Sequence, residues 1–496
     1  MFNSISIRRP GRAFTVVAAA SLLATAVALL LAVGRPAGAL KTVRPVPDQL
    51  VSFTDHHLYP TPPTTDQCLS DFQLHCYSPA QMQKAYDLAP LFASGITGRG
   101  QTIVIVDSFG SPTIQNDLHV FDQAFGLPDP PSLRVFQPAG PVPAYDPSNG
   151  DMVGWAQETT LDVEWSHVMA PGANIVLLET PVSETEGVTG FPEIVAAENW
   201  ALSHNIGDVI SMSFGATEQT FPSPQSVYAL RSAFIRAHAQ HVALLSSSGD
   251  DGATDSELDL VSIYPYRVTS WPTSDPLVTS VGGTQITLDD SGNRLAPDVV
   301  WNDPYGAGGG GLSTLFSRPD FQSRVANVVG RQRGVPDISM NGAVDGGVIV
   351  YTSFDNGDPG NTPGFDFYGG TSASSPEFAG IVALADQLGG RRVDDLNARL
   401  YSLDYQHGLV DITQGNNTYG PFQNPGDPST YTVQGFDATP GYDLASGLGT
   451  FDAAQLVPAL AGHPRGPWTP PHFPNPGPPS HHGPDRPSDG HHPRHG

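Results

Sequence analysis

Gly369-Gly370-Thr371-Ser372-Ala373-Ser374-Ser375-Pro376-Glu377-Phe378-Ala379-Gly380 is a loop that runs into a helix. Paired glycines permit a tight turn and let a ligand approach the backbone closely. The apolar run at 378–388 predicts a buried helix with Pro376 in its first turn. Ser372 is therefore expected at the mouth of a cleft, beside a helix N-terminus that favours developing negative charge. A Gly-Ser turn that merely caps a helix is the plain alternative. The stretch by itself leaves both open.

Outward from this stretch the chain reads as α/β. Short β-branched or apolar runs at 101–106, 175–178, 209–213, 242–246 and 277–281 predict buried strands. Helical patterns at 78–86, 156–169, 191–204 and 226–240 alternate with them. That alternation predicts a mostly parallel central sheet with helices on both faces, and ligands bound beyond the carboxyl ends of its strands. Asp107, Ser211-Met212-Ser213 and Gly249-Asp250 all fall at such ends.

The 496 residues carry a formal net charge of −26 with only 23 Lys and Arg, which excludes a nucleic-acid binder. An acidic medium would relieve the self-repulsion of such a chain. Residues 1–39 read as an export signal: Arg8, Arg9 and Arg12, an uncharged stretch at 13–33, and the small-residue cleavage site Ala37-Gly38-Ala39. The stretch is also long enough for an uncleaved anchor. A soluble, secreted mature chain is expected, acting as a monomer. Residues 40–77 read as extended, and the two cysteines, Cys68 and Cys76, are expected to close a short loop as a disulfide. Residues 463–496, rich in Pro, Gly and His, are expected to be a disordered tail after a domain at 78–462.

A serine nucleophile needs a base. No histidine stands in a glycine-rich helix start after the first strand, and His167, before Ala170-Pro171-Gly172, reads as partly exposed. The same helix offers Glu158 and Asp162, four apart and so on one face. A solvated acidic face is the ordinary reading of such a pair. Leu161, Val163 and Trp165 are interleaved with it, however, and a half-buried pair would share a proton. At about pH 4 an imidazole is protonated and cannot act as a base, whereas a carboxylate is still partly ionised. Asp250, in the turn Ser246-Ser247-Ser248-Gly249-Asp250-Asp251-Gly252, is read either as an Asx-turn residue or as a protonated acid donating to an oxyanion.

Glu158-x-x-x-Asp162, Ser248-Gly249-Asp250 and Gly370-Thr371-Ser372-Ala373-Ser374-x-Pro376, in this order, resemble the sedolisin family of serine-carboxyl peptidases, acid-acting endopeptidases and tripeptidyl peptidases on a subtilisin-like fold. The likeness runs from about residue 78 to 451 and includes Pro336-Asp337-Ile338-Ser339 and the glycines 308–311. It implies Ser372 as nucleophile, Glu158 as general base, Asp162 as its orienting partner and Asp250 as the oxyanion residue. It also implies a backbone edge at Ser211, Ser213 and Gly215 that pairs with an extended polypeptide substrate. A structural Ca²⁺ is implied near the C-terminus, with Asp411 and Asp443 as carboxylate ligands and carbonyls from Ile412, Thr439 and Gly441.

The chain departs from the family in three ways. Members commonly carry a large N-terminal prodomain, whereas only about 40–77 precede the likeness, so either the domain folds unaided or this segment and its disulfide serve. Asp107 stands where some members have a longer carboxylate, and Phe214 where many have Trp. The last two bear on the tuning of Glu158 and Asp162. Two rivals remain: a conventional subtilisin-like peptidase with a histidine base, and an extracellular binding module on the same scaffold without activity.

Overall fold

The computed structural model describes residues 59–357 and 363–462, together with the backbone of Val51–Ser52. The expected export signal, most of the segment before residue 59 and the expected tail lie outside the described residues.

In chain order, α1 (Thr65–Phe72) and β1 (Cys76–Tyr77) are joined by the Cys68–Cys76 disulfide. The α/β part follows: β2 (Thr102–Ser108), α2 (Ile114–Phe125), β3 (Leu133–Phe136), α3 (Gly150–Met169), β4 (Asn174–Thr180), α4 (Phe191–Ser203) and β5 (Val209–Met212). After them come α5 (Pro224–Leu230), α6 (Ser232–Ala239), β6 (Ala243–Ser247), β7 (Thr279–Gln285) and β8 (Ile338–Asn341). The hairpin β9 (Gly347–Thr352) and β10 (Gly364–Gly369) then leads directly into α7 (Thr371–Gly389).

The central sheet runs β3-β4-β2-β5-β6-β7-β8, all parallel, with Val299–Val300 added antiparallel to β7. From β2 the chain builds outward to one side through β4 and β3, then to the other through β5. The order therefore reverses at β2, where open α/β sheets bind ligands.

Strand alternation divides the core into two layers. Ile103, Ile105, Ile175, Leu177 and Val209 pack with α3 and α7, while Val104, Val106, Val176, Leu178, Ile210 and Met212 pack with α4 and α6. The expected α/β sandwich is thus present, on subtilisin-like lines. The same parity directs Asp107, Glu179, Ser211 and Ser213 to the α3–α7 side. Buried on almost every side from Trp155 onward, α3 lies between α7, α2, β2 and β9.

Several boundaries differ from the sequence reading. Helix α3 starts at Gly150 because the Asn149 side chain accepts from the Asp151 and Met152 amides. The pattern at 226–240 is two helices broken at Arg231. Helix α7 begins at Thr371, so Pro376 lies inside it rather than in a first turn after the motif. His167 is buried, not partly exposed, because α2 packs on α3 and brings the Pro128 carbonyl to 2.8 Å and Asp122 to 3.3 Å from its Nε2. Among the described residues no helix is long and apolar enough to cross a membrane.

The core holds carboxyls that the chemistry does not use. Burial alone raises Glu198 on α4 to about 8, and burial raises Asp386 on α7 to about 8 against an amide hydrogen bond from Val393. The folded state then binds more protons than the unfolded one, so stability is full below about pH 4 and falls as pH rises toward 8. Thermal unfolding should give a higher Tm at pH 4 than at pH 8. Glu198→Gln should raise Tm at pH 8 and change little at pH 4. The gain at pH 8 should be worth a few kcal/mol, since each tenfold change in proton affinity amounts to about 1.4 kcal/mol.

Candidate active site

Ser372 is the second residue of α7, and the helix is entered through Gly370 at φ +124°, a conformation that favours glycine. Pro376 has no N–H to offer the Ser372 carbonyl four residues back. The Ser213 hydroxyl, at the end of β5, lies 3.4 Å from that carbonyl and donates at 2.8 Å to Asp162 Oδ1. One residue thus ties the start of α7 to α3.

Glu158 and Asp162 project from α3 into this junction, and both are wholly buried, more than the half-burial read from the pattern. Asp107, also wholly buried, approaches from β2. No oxygen of Glu158 or Asp107 makes a hydrogen bond of ordinary geometry, nor does Asp162 Oδ2. Burial pushes Glu158 well up and the Asp107 charge adds to this, while the polar groups of Ser372, Asp162 and Ser213 pull it back. Burial, then Asp107, then Glu158 raise Asp162, and Ser213 opposes them. Both carboxyls of the pair are therefore held above their ordinary range, chiefly by burial and then by the neighbouring charge of Asp107. Asp107 is pushed to about 7 by burial, with Thr159 opposing and Glu179 reinforcing.

Asp250 enters on the turn after β6. Its Oδ1 accepts from the Thr371 amide at 2.7 Å and the Thr371 hydroxyl at 2.9 Å, and its buried Oδ2 has no partner. Burial holds it well above the usual carboxylate range, against the two Thr371 hydrogen bonds. The glycine run clamps this turn: Gly309 N–H donates to the Gly249 carbonyl at 2.7 Å, and Ser248 Oγ donates to the Gly309 carbonyl at 2.8 Å. The Pro336-Asp337 stretch, in contrast, is structural, with Asp337 paired to Arg333 in the interior.

The structure therefore brings Ser372, Glu158, Asp162 and Asp250 together, and it adds Asp107 and Ser213. A substrate edge starting at Ser211 does not hold. Strand β5 is paired on both sides, to Ile105 and to Leu245, and the Ser211 hydroxyl meets Ser375 Oγ at 2.9 Å. Only 213–215, past the strand, lie outside paired strands before Ala216 joins Trp271. The expected substrate edge at Ser213 concerns its backbone; its side chain, by the parity of β5, turns to Asp162.

Near the C-terminus, Asp411 Oδ2 accepts from Gly441 N–H at 3.0 Å and Asp443 Oδ2 from Thr439 N–H at 2.8 Å, so both carboxylates converge on one turn. Among the described residues no group of three or more His, Cys, Asp or Glu could hold a metal. A cation here would need backbone carbonyls beside the two carboxylates. That hard-oxygen set suits Ca²⁺: Asp411 Oδ2 and Asp443 Oδ2 each retain a lone pair beyond the one amide bond, while Asp443 Oδ1 is taken up by the Ala445 and Ser446 amides and the Ser446 hydroxyl.

The Subtilase family profile (Peptidase_S8) matches residues 148–395. Kumamolisin of Bacillus sp. (strain MN-32) is 32% identical over 394 residues, covering 77% of this chain and 63% of that protein. Sedolisin of Pseudomonas sp. (strain 101) is 29% identical over 393 residues, covering 77% and 60%. The solved structure of Pseudomonas sedolisin, a serine-carboxyl proteinase complexed with two molecules of pseudo-iodotyrostatin, superposes with a TM-score of 0.63 at 27% identity, over 77% of this chain and 97% of that one. The chain thus spans less than two thirds of the length of these two curated relatives.

At Gly309 an added Cβ would stand 2.0 Å from the Ser248 carbonyl oxygen, whereas at Gly150 it would meet nothing within 4 Å. Gly309→Ala should cost about 1–3 kcal/mol in denaturant unfolding and displace Asp250. Gly150→Ala should be neutral or stabilising.

Proposed function

The chain belongs to the subtilase family, in its sedolisin group, and from that premise we propose that it is an acid-acting serine-carboxyl peptidase that hydrolyses polypeptides. The observation that carries this reading is that Ser372, the buried Glu158 and Asp162 and the buried carboxyl of Asp250 meet at one junction, held by the Ser213 and Thr371 hydrogen bonds. Ionised Glu158 takes the Ser372 proton as Oγ bonds to the scissile carbonyl carbon. The carbonyl oxygen becomes an oxyanion and accepts the Asp250 proton's hydrogen bond, at the positive end of α7. Glu158 then gives its proton to the departing amine as the C–N bond breaks. A water repeats the cycle on the acyl-enzyme, losing its proton to Glu158, and Ser372 recovers its own. Asp162, four residues on along α3, orients Glu158, and the Ser213 hydroxyl holds Asp162. The stretch 213–215 is where an extended substrate backbone would pair.

Among the described residues, the histidine on the helix that carries Glu158 does not serve the rival reading: His167 is turned to Asp122 on the far side of α3. The pH sign follows from the raised carboxyls. Rising pH removes the proton from Asp250 and from the pair, so activity at about pH 4 should exceed that at about pH 7.5 at least tenfold. Ser372→Ala and Glu158→Gln should each lower kcat by at least about 10²-fold without a matching loss of Tm. Activity that peaks near neutral pH and survives Glu158→Gln would sink the proposal. Asp107, pushed to about 7, is neutral in acid, so Asp107→Asn should leave the acid limb of the rate profile in place and, by removing the charge that raises Glu158 and Asp162 at higher pH, move the alkaline limb to lower pH.

Asp411, Asp443 and the carbonyls of Ile412, Thr439 and Gly441 would hold Ca²⁺, which when bound supplies cross-linking of the C-terminal turns and stabilises the fold. Calcium added to chelator-treated protein should raise Tm in proportion to the logarithm of its concentration, and Asp411→Ala should remove that response.

A further inference from the structure

The α3-facing side of the sheet carries a polar row that does not stop at the catalytic carboxylates. Across the strand ends it runs from Ser213 on β5 to Asp107 on β2, then to Glu179 on β4 and Gln137 just beyond β3. Asp107 and Glu179 are register partners, so their Cα atoms are about 5 Å apart. Glu179 faces a cleft of about 150 Å³ between the loop after β2, the segment after β3 and the first turn of α3. Among the residues lining that cleft, Glu179 is the only acidic or basic one.

The cleft is built around that carboxylate. Glu179 is 7% exposed, and Gln137 Nε2 donates to its Oε2 at 2.8 Å. Its Oε1 lies over Gly110, where an added Cβ would stand 2.1 Å away, so the missing side chain at Gly110 makes room for the oxygen. Phe109 and Gly110 both take left-handed backbone, at φ +59° and +76°. For a phenylalanine that conformation is costly, and such strain gathers at ligand-binding loops. Phe109, Tyr145 and Met152 supply apolar and aromatic walls of the kind that cover the methylene stem of a long side chain. Burial raises Glu179 from its ordinary range, with the Gln137 amide opposing. A cation entering the cleft would restore the ionised form.

We propose that this cleft is a side-chain subsite that takes an arginine or lysine of the polypeptide held at Ser372, with Glu179 as its specificity-determining residue; the proposal rests on the peptidase reading above. The test is a series of internally quenched peptides in which each position flanking the cleavage point holds, in turn, Arg, its neutral isostere citrulline, or Glu. At one position kcat/KM should favour Arg over citrulline by roughly tenfold, with Glu poorest. Glu179→Gln should bring Arg and citrulline within about twofold there, and Glu179→Asp, which keeps the charge but shortens its reach, should give an intermediate ratio. Equal cleavage of Arg and citrulline peptides at every position would overturn the subsite and leave the peptidase reading standing. So would a preference for Arg that survives unchanged in Glu179→Gln or Glu179→Asp. Failure of the folded wild-type protein to cleave any peptide at about pH 4 would overturn the peptidase reading, and the subsite with it.

Discussion

Burying Asp107, Glu158 and Asp162 side by side is the constraint on which the rest of the structure depends. Three carboxyls buried in one junction cannot all readily ionise, since each charge is removed from bulk solvent and repels the next. Protons must stay within the group, and its position is tolerable only because the surrounding hydroxyls and the shared proton take up part of the cost. Ser213, Thr159 and Ser372 supply those hydroxyls. The same burial that is a liability at neutral pH is better tolerated in acidic medium, where the carboxyls keep their protons.

Holding that junction dry requires α3 to be covered on nearly every side. Helix α7 lies along it, α2 faces it with Asp122 against His167, and Trp165 Nε1 donates to the Ile349 carbonyl of β9 at 2.9 Å. Glu164, one turn from the catalytic pair, accepts the Tyr351 amide at 3.0 Å, so the hairpin β9–β10 is anchored to the same helix that it covers. That hairpin delivers Gly369-Gly370 and then Ser372 to the site. The nucleophile and its base are thus fixed through one set of contacts, and the disulfide-closed N-terminal segment extends the covering sheet through β1 against β9.

The parallel sheet explains why chemistry and recognition share one edge. All its long strands end at the same side, and alternation sends every second residue toward α3. Asp107 and Ser213 adjoin the buried pair, while Glu179 and Gln137, one and two strands further out from β2, line an open cleft. Depth in the sandwich separates the two uses: the inner positions are sealed and share protons, and the outer ones reach solvent and can meet a ligand.

The sequence by itself determined the alternation of strands and helices and the loop-to-helix turn at Ser372, because local spacing and turn chemistry are written in consecutive residues; Glu158, Asp162 and Asp250 stood out through their likeness to the sedolisin motifs. It also carried the Cys68–Cys76 pairing, since the chain has no other cysteines. Only the tertiary structure decided that Ser211 is enclosed between β2 and β6, that Ser213 supports Asp162, that His167 is buried against α2, and that Asp107 joins the carboxylates. Each of these depends on which strand lies beside which and on which face a residue meets. Neighbours in a parallel sheet are separated by tens of residues of chain, and helix packing sets burial from outside the element concerned. No local pattern at Glu179 announces a cleft; it arises where β2, β3, β4 and the start of α3 come together.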